Sequence, residues 1–490
     1  MNSQIEEQLR ASLAANMKAG AYTAADIALM ERAFAFAAEA HRGQERKSGE
    51  PYIVHPASAA RRLIDMRLDG ETIAGALLHD VCEDTSISPK DVRKALGDNI
   101  AFLVEGITKL NQVRYQGTER DAENLRKMLL ALAEDIRIVL IKLADRFHNM
   151  ETLMHVAPEK RRRIALETLE IYAPLAYRLG IGELKGQLED LAFPYVYPQE
   201  HRWLMEHIKD TLEARMAYVA RLIPAVKNVL EREKLHSIDV HARAKHHYSL
   251  YKKLLAHGGD IQNIHDLIAL RIIVGTVEEC YQALGLIHKL WPPMPGRIKD
   301  YIATPKPNGY RSLHTTVFGP EGKIAEIQIR TPAMHEEAEN GIAAHWTYAE
   351  TKYGAATERK LPGAKSIAWV SQLREWQKEF QNPEDFLESL KIDFFKDRIF
   401  VFTPKGEVLD LPDGATPIDF AYQVHSHIGN SAAGVRINGR MVSLDYRLKN
   451  LDVVEILTQK NKKPSRGWLA FVKTASAKKK ILAALRQPTS

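Results

Sequence analysis

The chain of 490 residues has two cysteines, Cys82 and Cys280, too few for a disulfide framework or a cysteine-built zinc site. A reducing, cytoplasmic compartment is the expectation. No run of apolar residues approaches the 18 or so that a spanning helix needs, which excludes one. The opening MNSQIEEQLR has no apolar stretch, so no secretory signal is expected there. The phosphate-cradling G-x-x-x-x-G-K-[ST] is missing, so any nucleoside triphosphate is held without a P-loop. Internal repeats and low-complexity tracts are also absent. What remains is ordinary for globular protein. Hydrophobic residues make up 45% and charged residues 27%, which excludes a mainly disordered chain. The length suggests about three domains.

Charge is unevenly placed. Residues 460–490 hold nine basic residues and no acid, so a total of +6 leaves the preceding 459 residues at −3. Such a basic stretch fits contact with nucleic acid or the ribosome; it also fits an end that is merely solvated.

From about residue 5 to 235, apolar residues recur at helical spacing, as in Ile27, Met30, Ala33, Phe34, Ala37 and Ala38. After Ile238 the texture becomes mixed α/β. Strands are expected at 240–243, 267–274, 314–318 and 323–329, the last two joined by the turn Gly319-Pro320-Glu321-Gly322. Helices are expected at 248–255 and 277–290. Residues 350–366 read as a linker, followed by a helix over 367–381. A small β-rich unit runs from about 397 to 459, with turns at Pro404-Lys405-Gly406, Pro412-Asp413-Gly414 and Asn438-Gly439. Its strands are expected at 399–402, 408–411, 434–437 and 453–457, with one helix at 417–424.

Two constellations carry chemistry. In Leu77-Leu78-His79-Asp80-Val81-Cys82-Glu83-Asp84, a helix would place His79 with Glu83 and Asp80 with Asp84 on one polar stripe. Imidazole beside carboxylate suits a divalent metal. His55 upstream and Asp145 in an apolar helix downstream offer further ligands. The second constellation starts at Arg297-Ile298-Lys299-Asp300-Tyr301 and continues through Lys306, Asn308 and Tyr310. Cations beside aromatic rings suit phosphate neutralisation and base stacking. On the following strand Glu326, Gln328 and Arg330 share one face, opposite Ile327 and Ile329. Glu326 is a candidate metal ligand or general base, and Asp266 is placed to share its cation. Arg243 and Lys245 add charge.

These segments include HRGQERKSGEPYIVHP (41–56), HDVCEDT (79–85), LADRFHNMETL (143–153), RIKDYIATPKPNGYRSLHTTVFGPEGKIAEIQIRT (297–331) and MHEEAENGIAAHW (334–346). Across nearly its whole length the chain resembles the bifunctional Rel/SpoT homologues, which make and destroy the alarmone (p)ppGpp. The resemblance implies an all-helical HD-type hydrolase domain (1–199) and a mixed α/β, nucleotidyltransferase-like synthetase domain with linking helices (200–385). A small β-grasp-like TGS domain (397–459) and the basic start of a helical region (460–490) would follow. It implies a hydrolase Mn²⁺ on His55, His79, Asp80 and Asp145, with Glu83 and Asp84 orienting or deprotonating water. Arg46, Lys47 and Ser48 would meet the guanine end, and Asn149 and Thr152 the nucleotide. For the synthetase it implies pyrophosphate transfer from ATP to the 3′-hydroxyl of GDP or GTP. Mg²⁺ would sit on Asp266 and Glu326, and Glu326 would activate the hydroxyl. Arg243 and Arg271 would sandwich adenine, and Lys245, Ser249 and Lys253 would meet ATP phosphates. Tyr310 would stack on guanine, while Lys299, Lys306, Asn308, His314 and Gln328 bind the acceptor. The HDxxED acids that synthetase-only relatives lose are all present, and Arg297 and Lys299 match the bifunctional type. Cys82 stands where an aliphatic residue is commoner. In the TGS domain, His425 would meet the 3′ end of uncharged tRNA on the ribosome, or simply end a helix. The family normally continues into helical, zinc-finger and ACT modules. This sequence stops before them, either cut short there or without that regulatory half.

Overall fold

The computed structural model describes residues 2–19, 22–111, 134–235, 237–256, 267–306, 308–344, 398–449, 451–460 and 462–486. The expected linker at 350–366 and the helix at 367–381 lie outside them, as does Asp266. Described residues 2–344 fall in one compact unit and 398–486 in a second.

The first unit begins all-helical. Its helices are α1 (Asn2–Ala19), α2 (Ala24–Ala40), α3 (Val54–Asp65), α4 (Gly70–Leu77), α5 (Val81–Asp84), α6 (Pro89–Leu96) and α7 (Asp98–Asn111). After these come α8 (Ile136–Glu151), α9 (Pro158–Glu167), α10 (Ala173–Arg178) and α11 (Gly182–Val196). Local chemistry sets several starts. Thr23 with Asp26, and Ser88 with Asp91, close capping boxes, and Asp69 caps α4 through Thr72 N–H. A π-turn at Thr168–Tyr172 joins α9 to α10 where Pro174 has no N–H to give the preceding turn. Helix α3 packs on α4 and α8, and Ala57, Ala60, Leu63, Ile73, Ala76 and Leu140 on these helices are all buried. That packing brings together the start of α3, the end of α4 and the middle of α8.

Helix α12 (Pro198–Arg232) has 35 residues, about 50 Å of helix, and leads into a five-stranded mixed sheet. The strands are β1 (Ser237–Ala244), β2 (Ile268–Val274), β3 (Lys299–Asp300), β4 (Leu313–Phe318) and β5 (Ile324–Arg330), in the order β1-β2-β5-β4-β3. Only β2 and β5 run parallel; the other pairs are antiparallel. Helix α13 (His247–Ala256) follows β1, α14 (Val277–Leu290) follows β2, and α15 (Pro332–Asn340) follows β5. Alternation divides the sheet by chemistry. Leu270, Ile272, Ile327, Ile329, Leu313 and Val317 bury one face against α12 and α14. The opposite face is polar.

The second unit holds a two-stranded sheet, β6 (Arg398–Phe402) with β7 (Val408–Pro412), and a three-stranded sheet of β8 (Ala432–Ile437), β9 (Arg440–Val442) and β10 (Val454–Thr458). Helix α16 (Pro417–Val424) starts at the Thr416–Asp419 capping box, and α17 (Ser426–Asn430) follows. The basic stretch after 459 does not fray within the described residues. Trp468, Val472, Ala477 and Ile481 bury against Ile418, Tyr422 and Ala432, and α18 (Ala475–Arg486) carries Lys478, Lys479 and Lys480. Buried Asp419 fastens this return by accepting from the N–H groups of Lys473 and Thr474 and from the Thr474 hydroxyl. Within 397–459 the expected single helix is therefore two among the described residues, α16 and α17, and α18 falls in the stretch after 460 where a helical region was expected.

Candidate active sites

The first site lies where α3, α8 and the α4–α5 turn meet. The expected continuous helix through His79 does not form. Helix α4 ends at Leu77, and Leu78 N–H closes a tight bond to Gly75 C=O. His79 and Asp80 thus occupy a turn, and the predicted helical stripe is corrected to a turn followed by the short α5. The turn aims both side chains inward. His79 Nδ1 donates to Ala76 C=O at 2.7 Å, so its Nε2 faces the cluster. There His79 Nε2 lies 3.2 Å from Asp80 and 3.7 Å from Asp145, with no aligned hydrogen bond. His55 Nε2 lies 3.3 Å from Asp80 and 3.2 Å from Asp145.

Partners beyond these four fix their protonation. His55 Nδ1 approaches His148 Nδ1 at 2.8 Å, and Arg46 donates to the same His148 nitrogen at 2.9 Å. His148 Nδ1 therefore accepts and His55 Nδ1 donates, which leaves the His55 Nε2 lone pair on the cluster. Burial, with His55 and Arg46 beside it, holds His148 down to about 3. Lys142 donates to the outer oxygen of Asp145 at 2.5 Å, and Asn149 bonds its inner oxygen. Burial alone would make Asp145 hard to ionise; Lys142 and the two histidines outweigh it and hold the carboxyl well below the usual range. Burial works against ionising Asp80 too, but His79 and His55 together outweigh it and hold the carboxyl below the usual range. His79, fully buried, is pulled above its ordinary value by Asp80 and Asp145 despite the burial. The cluster demands positive charge. With a cation in place of the His79 proton, two imidazole nitrogens and two ionised carboxylates meeting at an otherwise orphaned buried nitrogen are the donor set of a divalent metal. His55, His79 and Asp80 present ligand atoms within 4.8 Å of one another, and Asp145 adjoins both histidines.

Tyr52 bridges the cluster to its open side. Its hydroxyl contacts Asp84 at 2.6 Å and Asp80 at 3.0 Å, and its ring stacks on His41 at 4.5 Å. Gln44 holds the Asp84 carbonyl at 2.8 Å. Glu83 and Asp84 are exposed at this mouth. Arg46 reaches the cluster through His148 and Asn149, whereas Lys47 is exposed and Ser48 donates to Glu50. Thr152 caps α8 by donating to His148 C=O. The sequence reading missed His148, Lys142 and Tyr52. The signal existed on α8, where Lys142, Asp145, His148 and Asn149 recur at i, i+3 and i+4 on one face.

The second site is the polar face of the sheet. Strand register sets side chains in rows. His241, Arg271, Gln328, His314 and Lys299 form one row across all five strands. Arg243, Ala269, Glu326 and Thr316 form the next. Tyr310 O–H meets His314 Nε2 at 2.7 Å, and His314 Nδ1 meets Glu326 at 3.2 Å. Tyr310 therefore donates to His314, which donates to Glu326; Gln328 donates to the same carboxylate oxygen at 3.1 Å. Burial lowers His314, keeping it neutral in that chain. Lys306 lies over the rings of Tyr301 and Tyr310 at 4.7 and 5.1 Å. Asn308 accepts from Tyr310 N–H and reaches back to Tyr177 C=O at the end of α10. Arg271 is buried and bonds Glu339 of α15 at 3.0 Å. Arg243 instead pairs with Glu183 of α11 at 3.1 Å. Ser249 contacts Glu189 and Lys185 of the same helix. Lys245 and Lys253 flank it on the β1–α13 segment. The fold thus gathers Glu326, Gln328, His314, Tyr310, Lys299 and Lys306 on one side of the sheet face and Arg243, Arg271, Lys245 and Ser249 on the other.

In the second unit, exposed His425 caps α17, its Nδ1 accepting from His427 N–H at 3.2 Å. The other ring nitrogen is then the one that carries hydrogen.

Sequence comparison adds three matches in chain order. An HD domain covers residues 33–182, the region found in RelA / SpoT proteins covers 242–353, and a TGS domain covers 399–458. A GTP pyrophosphokinase of Myxococcus xanthus is 47% identical over 466 residues, covering 94% of this chain and 61% of the relative. A guanosine-3′,5′-bis(diphosphate) 3′-pyrophosphohydrolase of Aquifex aeolicus is 47% identical over 453 residues, 92% of this chain and 64% of the relative. A bifunctional (p)ppGpp synthase/hydrolase RelA of Mycobacterium tuberculosis is 44% identical over 464 residues, 94% of this chain and 63% of the relative. The chain therefore spans a little under two thirds of the length of these relatives. No helix among the described residues is long and apolar enough to cross a membrane.

Proposed function

The chain belongs to the RelA/SpoT family, and on that premise we propose that it both makes and destroys (p)ppGpp, at two separate sites. The observation that carries this is the pairing, in one chain, of a cation-demanding His/Asp cluster with a Glu-centred cationic sheet face.

For hydrolysis, His55, His79, Asp80 and Asp145 would hold Mn²⁺, which would supply the chemistry of making water acidic enough to give up a proton near neutral pH. Asp84 and Glu83, at the mouth, orient that water and take its proton. Tyr52 holds Asp84 beside Asp80 for this task. Arg46, Lys47, Ser48, Asn149 and Thr152 line the approach of the nucleotide. Cleavage releases pyrophosphate and leaves GDP or GTP.

For synthesis, Glu326 takes the proton of the acceptor 3′-hydroxyl as the pyrophosphate passes from ATP, with AMP leaving. The chain from Tyr310 through His314 aims the Glu326 carboxylate. Asp266 would join Glu326 in holding Mg²⁺. Tyr310 stacks on guanine, with Lys299, Lys306, Asn308 and Gln328 around it. Arg243, Arg271, Lys245, Ser249 and Lys253 receive ATP. His425 and the lysines of α18 are assigned to uncharged tRNA and ribosomal RNA, and the setting to the cytoplasm.

Reciprocal variants test the division. Asp80→Ala is expected to end ppGpp hydrolysis and spare synthesis, and Glu326→Gln the reverse. If either variant lost both reactions while folded, or neither, the two-site assignment would fail.

A further inference from the structure

His246 stands between two residues assigned to ATP, Lys245 and Ser249, yet its ring is directed at helix α11. Nδ1 lies 2.9 Å from Asp190 and Nε2 lies 3.5 Å from Glu183. The ring rests directly on Gly186. A methyl group there would come within 2.1 Å of Cδ2 and 2.3 Å of Nε2, so only glycine admits the imidazole. Both carboxylates have a second task in the same segment. The other oxygen of Asp190 accepts Tyr248 N–H at 2.9 Å, in the first turn of α13. Glu183 also accepts from Arg243 at 3.1 Å. The His246 carbonyl accepts Leu250 N–H and starts α13.

We propose that His246 is a positioning residue of the ATP site: seated on Gly186 between Glu183 and Asp190, it fixes the segment that carries Arg243, Lys245 and Ser249. This rests on the assignment of those three residues to ATP. His246 touches no reacting group in this account and acts through its neighbours. Burial alone would lower the imidazole. Its bonds to Asp190 and Glu183 outweigh that and raise it to about 9, while the bond from His246 draws Glu183 down to about 2. Among the described residues, Arg243 of β1, Arg62 of α3 and His201 of α12 also face these acids. The clamp is therefore fully charged at neutral pH, and it loses its proton as pH rises through about 9.

The test is steady-state synthesis by the full chain, varying ATP and GDP separately, with ppGpp hydrolysis as a check on folding. His246→Ala and Gly186→Ala are each expected to raise the ATP KM about tenfold, with the GDP KM within about twofold and hydrolysis unchanged. Combining them should match His246→Ala alone, because the added methyl has no ring left to displace. In the wild type the ATP KM should climb through about pH 9, and in His246→Gln it should not. The seat is overturned if Gly186→Ala and His246→Ala leave the ATP KM unchanged, if both KM values rise together, or if the two effects add. Arg243→Ala separates the premises. If it too leaves the ATP KM unchanged, the ATP assignment has failed; if it raises the KM while His246→Ala does not, only the seat has failed.

Discussion

Replacing Tyr52 by phenylalanine removes one oxygen atom and nothing else, at the point where the cation cluster meets its mouth. That oxygen lies 2.6 Å from Asp84 and 3.0 Å from Asp80, whose side chain is 13% exposed. Hydrogen bonds to charged groups contribute about 1.5–3 kcal/mol, and a buried carboxylate that loses a donor bears most of that cost. At about 1.4 kcal/mol per decade, the expected loss in hydrolytic efficiency is about 10- to 150-fold. Part should appear as weaker metal binding, since loss of a partner behind a ligand typically costs about 10- to 100-fold in affinity or activity. The assay is the initial rate of ppGpp hydrolysis across a Mn²⁺ titration, with synthesis in the same preparation reporting on the fold. Synthesis should be untouched, because Tyr52 makes its polar contacts within the hydrolase helices. Wild-type hydrolysis with an unshifted Mn²⁺ midpoint would refute the placing of Asp80 and Asp84 in one network.

Three further outcomes follow from other parts of the molecule. Tyr310→Ala removes a base-stacking ring, about 1–3 kcal/mol, and should raise the KM for GDP more than that for ATP; the kinetics with each nucleotide varied in turn decide it. Gly341 has φ +56°, and a methyl there would meet Leu179 O at 2.2 Å and Gly180 C at 2.5 Å, both backbone. Gly341→Ala should therefore cost at least about 2 kcal/mol and lower the Tm by several degrees, whereas Gly309→Ala, at φ +79° with open space around it, should cost about 1 kcal/mol. His246 is raised in the folded chain to about 9, so its contribution to stability is complete below about pH 6.5 and is lost as pH rises through 9. Denaturation at pH 6 and pH 10 should show a larger drop for the wild type than for His246→Gln.

The elements that were legible in the sequence are those with local signals. Helix α14 runs over Val277–Leu290 as expected because Thr276 and Glu279 close a capping box at its start. Helix α16 matches at Pro417–Val424 for the same reason, with Thr416 and Asp419. The β4–β5 hairpin follows from the alternation along β5 and a Gly-Pro turn. The break at Leu78 was not legible, since HDVCED reads as good helix; the turn is favoured by the inward pull on His79 and Asp80, a tertiary effect. Strand β9 has three residues, too short for a pattern. His148 escaped notice because its partners, His55 and Arg46, lie 93 and 102 residues away. His246 escaped for a related reason: nothing local marks a histidine whose seat is a glycine 60 positions upstream. The packing of residues after 459 onto the second unit was hidden by their lysines, which drew attention from Trp468, Val472 and Ile481.

The most direct measurement takes one preparation of the unaltered chain through both reactions. It is incubated with ATP, GDP and Mg²⁺, and separately with ppGpp and Mn²⁺, and the nucleotides are resolved by chromatography. The expected products are ppGpp and AMP in the first mixture and GDP with pyrophosphate in the second, the latter abolished by a chelator and restored by Mn²⁺. A chain that formed no ppGpp, or that left ppGpp intact with Mn²⁺ supplied, would contradict the claim that both sites work.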